Sequence, residues 1–158
     1  MIKTFKYRLL PNNKQITKFA KTFGCCRLLY NSLLGWYCEA YETWKNNKNN
    51  GNETKFPKTP LVTEFKKQYD FLKEIDALAL MNARENYCKA IDNFFSSKQG
   101  KRKGKRVGFP KFKKKGICKN IYKTNNVNDN IRIINSTVKL PKIGFVKFIK
   151  HIPLDNGQ

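Results

Sequence analysis

The chain has 158 residues, 40% of them hydrophobic and 13% aromatic, and a net charge of +22 at pH 7. That length suffices for one ordinary domain or two small ones, and the apolar content excludes wholesale disorder. Self-repulsion of this size is seldom kept by a protein that meets no polyanion, so nucleic acid is the expected partner and a membrane surface is not.

Residues 2–10 read as a strand, because Phe5, Tyr7 and Leu9 alternate with Lys6 and Arg8 to give one apolar and one cationic face. Pro11-Asn12-Asn13 ends it and offers a helix cap. Ile16, Phe19, Ala20 and Phe23 then share a helical face, and Gly24 interrupts it. A longer helix follows, with Cys26, Leu29, Tyr30, Leu33, Leu34, Tyr37 and Tyr41 at three- and four-residue steps. Helix, glycine turn, helix is the pattern of a helix-turn-helix, and ordinary helical hairpins share it.

Residues 45–55 read as a polar, asparagine-rich loop. Thr59-Pro60 supplies a cap and a first-turn proline for a short helix through Leu61, Val62 and Phe65, ending near Tyr69. Asp76 caps a further helix whose stripe is Ala77, Leu80, Met81, Tyr87, Cys88, Ile91, Phe94 and Phe95. This stripe and that of residues 26–41 are expected to form one core, with Met81 and the aromatic residues inside it.

The segment Lys98–Lys115 holds ten Lys or Arg and no acid. It tilts the whole chain: residues 1–92 carry 16 basic and 9 acidic side chains, residues 93–158 carry 17 and 2. Glycines at 100, 104, 108 and 116 let its backbone follow a curved partner. Val107, Phe109 and Phe112 are spaced to anchor a loop, and packing is preferred to base stacking for both phenylalanines. Tyr122 has the same two readings. Beyond the run the period becomes two: 131–134 and 137–140 flank Asn135-Ser136 as a hairpin, and 145–149 is a further strand with lysines on the exposed side. About four strands in all are too few to close a barrel, so the chain is expected to be cut short.

Catalysis has little to work with. The start of the chain has no apolar signal segment, and no run approaches the roughly 18 apolar residues of a membrane span. The five cysteines form no Cys-x-x-Cys pair, and the one histidine, His151, has no recognisable partner. Metal-dependent phosphoryl chemistry needs two or three converging carboxylates, and only Asp129 and Asp155 lie beyond residue 92. No phosphate-binding Gly-x-x-x-x-Gly-Lys-Ser/Thr loop is present. No catalytic residue, metal, cofactor or small-molecule substrate is therefore expected, and no enzyme activity in this chain alone.

Several stretches in order resemble one family: Tyr7-Arg8-Leu9-Leu10-Pro11, Phe23-Gly24-Cys25-Cys26-Arg27-Leu28-Leu29-Tyr30-Asn31, Thr63-Glu64-Phe65-Lys66-Lys67, Asn93-Phe94-Phe95, Val107-Gly108-Phe109-Pro110-Lys111-Phe112-Lys113 and Leu140-Pro141-Lys142-Ile143-Gly144. The set is similar to the N-terminal region of the TnpB (OrfB) proteins of insertion sequences, which are RNA-guided DNA endonucleases. The resemblance covers essentially the whole chain and implies truncation before the RuvC-like domain with its three metal-binding carboxylates and before the zinc-binding cysteines.

The resemblance implies an α+β fold, with a helix-turn-helix-like helical lobe inserted between the first strand and the remaining strands of an incomplete wedge-type β-barrel. The lobe would span 11–97. The partial barrel would comprise 1–10 plus 98–158, with 98–116 as a basic connector. The implied role is a nucleic-acid-binding fragment that grips guide RNA and target DNA in the cytoplasm of a bacterium or archaeon. Family members often carry Ala-Leu-Gln where this chain has Ala79-Leu80-Met81, and methionine cannot hydrogen-bond a base edge. The candidate nucleic-acid contacts are Lys6, Arg8, Arg27, Lys101, Arg102, Lys103, Lys105, Arg106, Lys111, Lys113, Lys114, Lys115, Lys119 and Lys123. The alternatives are a stand-alone helix-turn-helix DNA binder and a structural RNA-binding protein.

Overall fold

The computed structural model describes residues 4–52 and 54–150. The beginning of the expected first strand, His151 and Asp155 lie outside them. The described residues form three α-helices and four strands: β1 (Arg8–Leu10), α1 (Asn13–Asn49), α2 (Val62–Gln68), a 3-10 turn (Asp70–Glu74), α3 (Ala77–Lys98), β2 (Arg132–Ile134), β3 (Thr137–Leu140) and β4 (Gly144–Ile149). The α+β expectation holds. The strands make an open antiparallel sheet in the order β1-β4-β3-β2. The chain divides into two compact units, one built from the residues up to Lys21 with those from Asn125 on, the other from Thr22–Thr124.

In the sheet unit, the Asn135-Ser136 hairpin forms as the alternation predicts, with Ile134 opposite Thr137 and Arg132 opposite Lys139. Leu9 lies opposite Phe148 and Val138 opposite Val146. Val146 and Phe148 are buried, whereas Phe145 and Ile149 remain exposed beside Lys147. The outer face of β4 is thus mainly apolar, not lysine-rich. The first strand is shorter than expected, three described residues. Asn12 caps α1 reciprocally: its Oδ1 accepts the Gln15 N–H at 2.9 Å, and Gln15 Oε1 accepts the Asn12 N–H at 3.0 Å.

Gly24 does not interrupt α1, which runs unbroken for 37 residues. A mid-helix glycine costs only about 1 kcal/mol against alanine. The buried stripe Thr22, Cys25, Cys26, Leu29, Tyr30, Leu33, Leu34 and Tyr37 continues across that position and outweighs it. The expected loop at 45–55 begins later for a local reason. The Asn52 N–H reaches the Asn47 carbonyl and the Gly51 N–H the Lys48 carbonyl, with Gly51 at φ 77°. Such a left-handed stop fits glycine without a Cβ penalty. The same pair of bonds ends α3, from Lys101 to Ser96 and from Gly100 to Ser97. The start of α2 also differs: Leu61, not Thr59, is the cap, and its N–H donates to the Glu64 carboxylate at 3.0 Å.

The helical unit holds the core expected from the two stripes. Leu29, Leu33 and Leu34 of α1 pack with Leu80, Tyr87 and Ile91 of α3, and with Phe65, Leu72 and Ile75 between them. Met81 is a correction: it is 57% exposed. Ala77 and Phe95 are also exposed. Burial runs through Ala79, Leu80, Ala83, Tyr87 and Ile91, steps of one, three and four that turn Met81 outward. Asp76 caps α3 as expected, accepting the Leu78 N–H at 3.1 Å, and it also accepts the Thr124 hydroxyl.

A candidate nucleic-acid interface on the helical unit

Two helices and one irregular strap build the candidate site. Phe23, Cys26 and Arg27 come from α1, Ala79, Ala83 and Asn86 from α3, and Lys113 and 118–123 from the strap. Four of the expected contacts, Arg27, Lys113, Lys119 and Lys123, line this one pocket. No acid lines it. Cations brought together this way focus a positive potential that a phosphate backbone neutralises.

The strap is held by side chains that reach its main chain. Asn31 clamps Lys113 from both sides: Asn31 Nδ2 donates to the Lys113 carbonyl at 2.9 Å, and the Lys113 N–H donates to Asn31 Oδ1 at 2.8 Å. Asn82 Nδ2 donates to the Lys123 carbonyl at 3.2 Å and to the Leu78 carbonyl at 2.8 Å. Tyr122 packs its ring 5.8 Å from that of Phe23 and lies partly buried against the core. The clamped Lys113 lays its ammonium 4.0 Å over the Tyr30 ring. That cation–π contact makes Lys113 an anchor as well as a charge. The clamp leaves the preceding side chain outward, so Phe112 is 53% exposed and does not pack as expected.

Phe109 does pack, 5.8 Å from Tyr37 and 5.3 Å from Phe94. Between these anchors and α3, Lys101, Arg102, Lys103, Lys105 and Arg106 stand exposed on a loop closed by a 2.8 Å bond from the Val107 N–H to Ser97 Oγ. Lys111, Lys114 and Lys115 are exposed as well. Lys6 and Arg8 belong to the sheet unit, Arg8 on β1 opposite Ile149. Sequence reasoning missed Asn31, Asn82 and Asn86. Asn82 and Asn86 signalled only a polar residue beside an apolar stripe, and Asn31 closed the Phe23–Asn31 stretch of the resemblance; neither signal says what the side chain will hold.

Two ionisable groups of the pocket are kept in their protonated form by burial. Burial pushes the Cys26 thiol up to about 12, reinforced by Cys25, and the Tyr122 hydroxyl up to about 12, reinforced by Asp76. A protonated thiol is a poor nucleophile. Among the described residues no group of three His, Cys, Asp or Glu could hold a metal ion, and no helix is long and apolar enough to cross a membrane.

These two shifts give a pH dependence with a definite sign. Their ordinary values are 9.0 and 10.0, so the unfolded chain releases both protons before the folded chain does. The contribution of these groups is intact below pH 9 and is lost progressively as pH rises toward 12. Melting curves from pH 8 to 10.5 should therefore fall more steeply for wild type than for Cys26→Ala. The comparison cancels the loss of lysine charge common to both. Parallel curves would remove burial of the thiol as a determinant.

Residues 1–48 match the family model HTH_OrfB_IS605, described as a helix-turn-helix domain. A protein of Streptomyces pristinaespiralis that carries the name of an RNA-guided DNA endonuclease is 30% identical over 118 residues, which cover 70% of this chain and 25% of that one. InsQ of Escherichia coli K12, which carries the same name, is 25% identical over 149 residues, covering 93% of this chain and 33% of InsQ. The chain thus spans about a quarter to a third of the length of these relatives. With the ordered motifs and this alignment, the chain belongs to the TnpB (OrfB) family of insertion-sequence proteins and corresponds to its N-terminal region.

Proposed function

We propose that this chain is the nucleic-acid-binding N-terminal part of an RNA-guided DNA endonuclease, holding guide RNA and the guide–target duplex by shape and charge. The convergence of Arg27, Lys113, Lys119 and Lys123 on one acid-free pocket carries the reading. The exposed cations of 101–106, with Lys111, Lys114 and Lys115, extend the surface on the helical unit, and Lys6 and Arg8 are separate candidate contacts on the sheet unit. In this reading residues 11–97 act as a recognition lobe. Residues 1–10 and 98–158 contribute strands to a wedge-type barrel, with 98–116 as the connector. The chain binds and does not cut, and it works in the cytoplasm. Phosphate contacts fix register while base pairing with the guide reads sequence.

The description of the matching family model, a helix-turn-helix domain, favours a second reading as a reader of duplex DNA. Filter binding separates the two. The probes are RNA transcribed from the 3′ end of the element that carries the gene and random-sequence duplex DNA of equal length. Tighter binding of the RNA is expected. Equal affinities with equal salt slopes would overturn the guide-RNA reading, and preference for one duplex site, lost on Arg27→Ala, would establish the second.

A further inference from the structure

The C-terminal third of α1 and the last turn of α3 form a second groove with the foot of the basic loop. Five rings line it, Tyr37, Tyr41, Phe94, Phe95 and Phe109, together with Glu42 and Lys98. Tyr37 is nearly closed off at 9% exposure, whereas Tyr41, Phe95 and Phe109 are 39%, 37% and 39% exposed. Tyr37 and Tyr41 lie almost parallel, 9° apart with centroids at 6.3 Å, and Phe94 meets Phe95 at 5.2 Å. Anchoring the loop requires only the contacts of Phe109 with Tyr37 and Phe94. Tyr41 also meets Trp44 at 6.1 Å, and the exposed parts of Tyr41 and Phe95 are left over beside the anchor; contiguous exposed apolar surface marks binding sites.

The surroundings say what fits. Lys98 lines the groove and begins the ten-cation run, and Phe109 lies within that run. The bond from the Val107 N–H to Ser97 Oγ places the cationic loop directly between these two groove residues. A phosphate gains nothing from a floor of rings beside a carboxylate. An apolar peptide gains nothing from the neighbouring cations. A nucleotide uses both, its base stacking on the rings and its phosphates lying along the loop. Glu42 discriminates further: its carboxyl oxygens accept hydrogen bonds, and a ribose 2′-hydroxyl next to a seated base is a donor that DNA lacks.

We infer that this groove seats an unpaired base of single-stranded RNA. The inference rests on the reading of the chain as a nucleic-acid binder and adds a separate site to it. The test uses the intact chain and fluorescence anisotropy with three labelled oligomers of about 12 nucleotides: an unstructured RNA, an abasic ribose-phosphate chain of the same length, and the matching DNA. The abasic chain should bind about tenfold or more weakly than the RNA at an unchanged salt slope, since it keeps every phosphate. Tyr41→Ala and Phe95→Ala should bring RNA down to the abasic level while each variant still unfolds in one cooperative transition well above the assay temperature, and Glu42→Ala should erase the advantage of RNA over DNA. Equal affinity for RNA and abasic chain would overturn the groove, and equal affinity of wild type for RNA and DNA would overturn its assignment to RNA. Absence of salt-dependent binding to all three would instead sink the charge-based reading of the whole chain.

Discussion

Replacing Lys101, Arg102, Lys103, Lys105 and Arg106 together with alanine is expected to lower RNA affinity about a thousandfold at 0.1 M salt and to flatten the salt slope by about 3.5 units. Each cation that neutralises a single-strand phosphate contributes roughly 0.7 to that slope, so five removed contacts produce a change well outside error. The variant should fold. The five side chains are exposed, and the loop is closed by groups the substitutions leave in place: the Val107 N–H on Ser97 Oγ, and the main-chain bonds from Gly100 and Lys101 that end α3. Removing like charges relieves self-repulsion, so the melting temperature should hold or rise. Lys113 is left out on purpose. Its ammonium rests on Tyr30 and its main chain on Asn31, so its loss would mix stability with charge. An unchanged slope would show that nucleic acid passes elsewhere.

The charge and its location were legible because they depend on composition alone. So were the Asp76 cap, the Asn12 cap and the 131–140 hairpin, where short-range chemistry decides the backbone. Gly24 was misread because its local cost is small beside the packing of Cys25, Cys26 and Leu29, which no local rule weighs. Phe112 was misread because its direction depends on Asn31, 81 positions earlier in the sequence, seizing the next residue's main chain. The pocket follows the same logic. That Arg27, Lys113, Lys119 and Lys123 are basic was plain, but that they meet depends on the Asn31 and Asn82 clamps.

A pair of adjacent substitutions tests the rotation of α3 on which that pocket depends. Leu80 is fully buried and Met81 is 57% exposed, although both fell in the stripe read from the sequence. Leu80→Ala should cost about 3 kcal/mol, since a cavity is left among residues that cannot close over it, and should lower the melting temperature by about 10 °C. Met81→Ala should stay within about 0.5 kcal/mol of wild type, because its side chain is already in water and alanine favours the helix. The two positions are one residue apart, so propensity and unfolded-state effects nearly match and the difference reports burial. Ala79, Ala83 and Asn86, which line the pocket, recur at steps of four and three on the same helix. Equal losses at 80 and 81 would mean that α3 is rotated from this placement, and the pocket that gathers Arg27, Lys113, Lys119 and Lys123 would be lost with it.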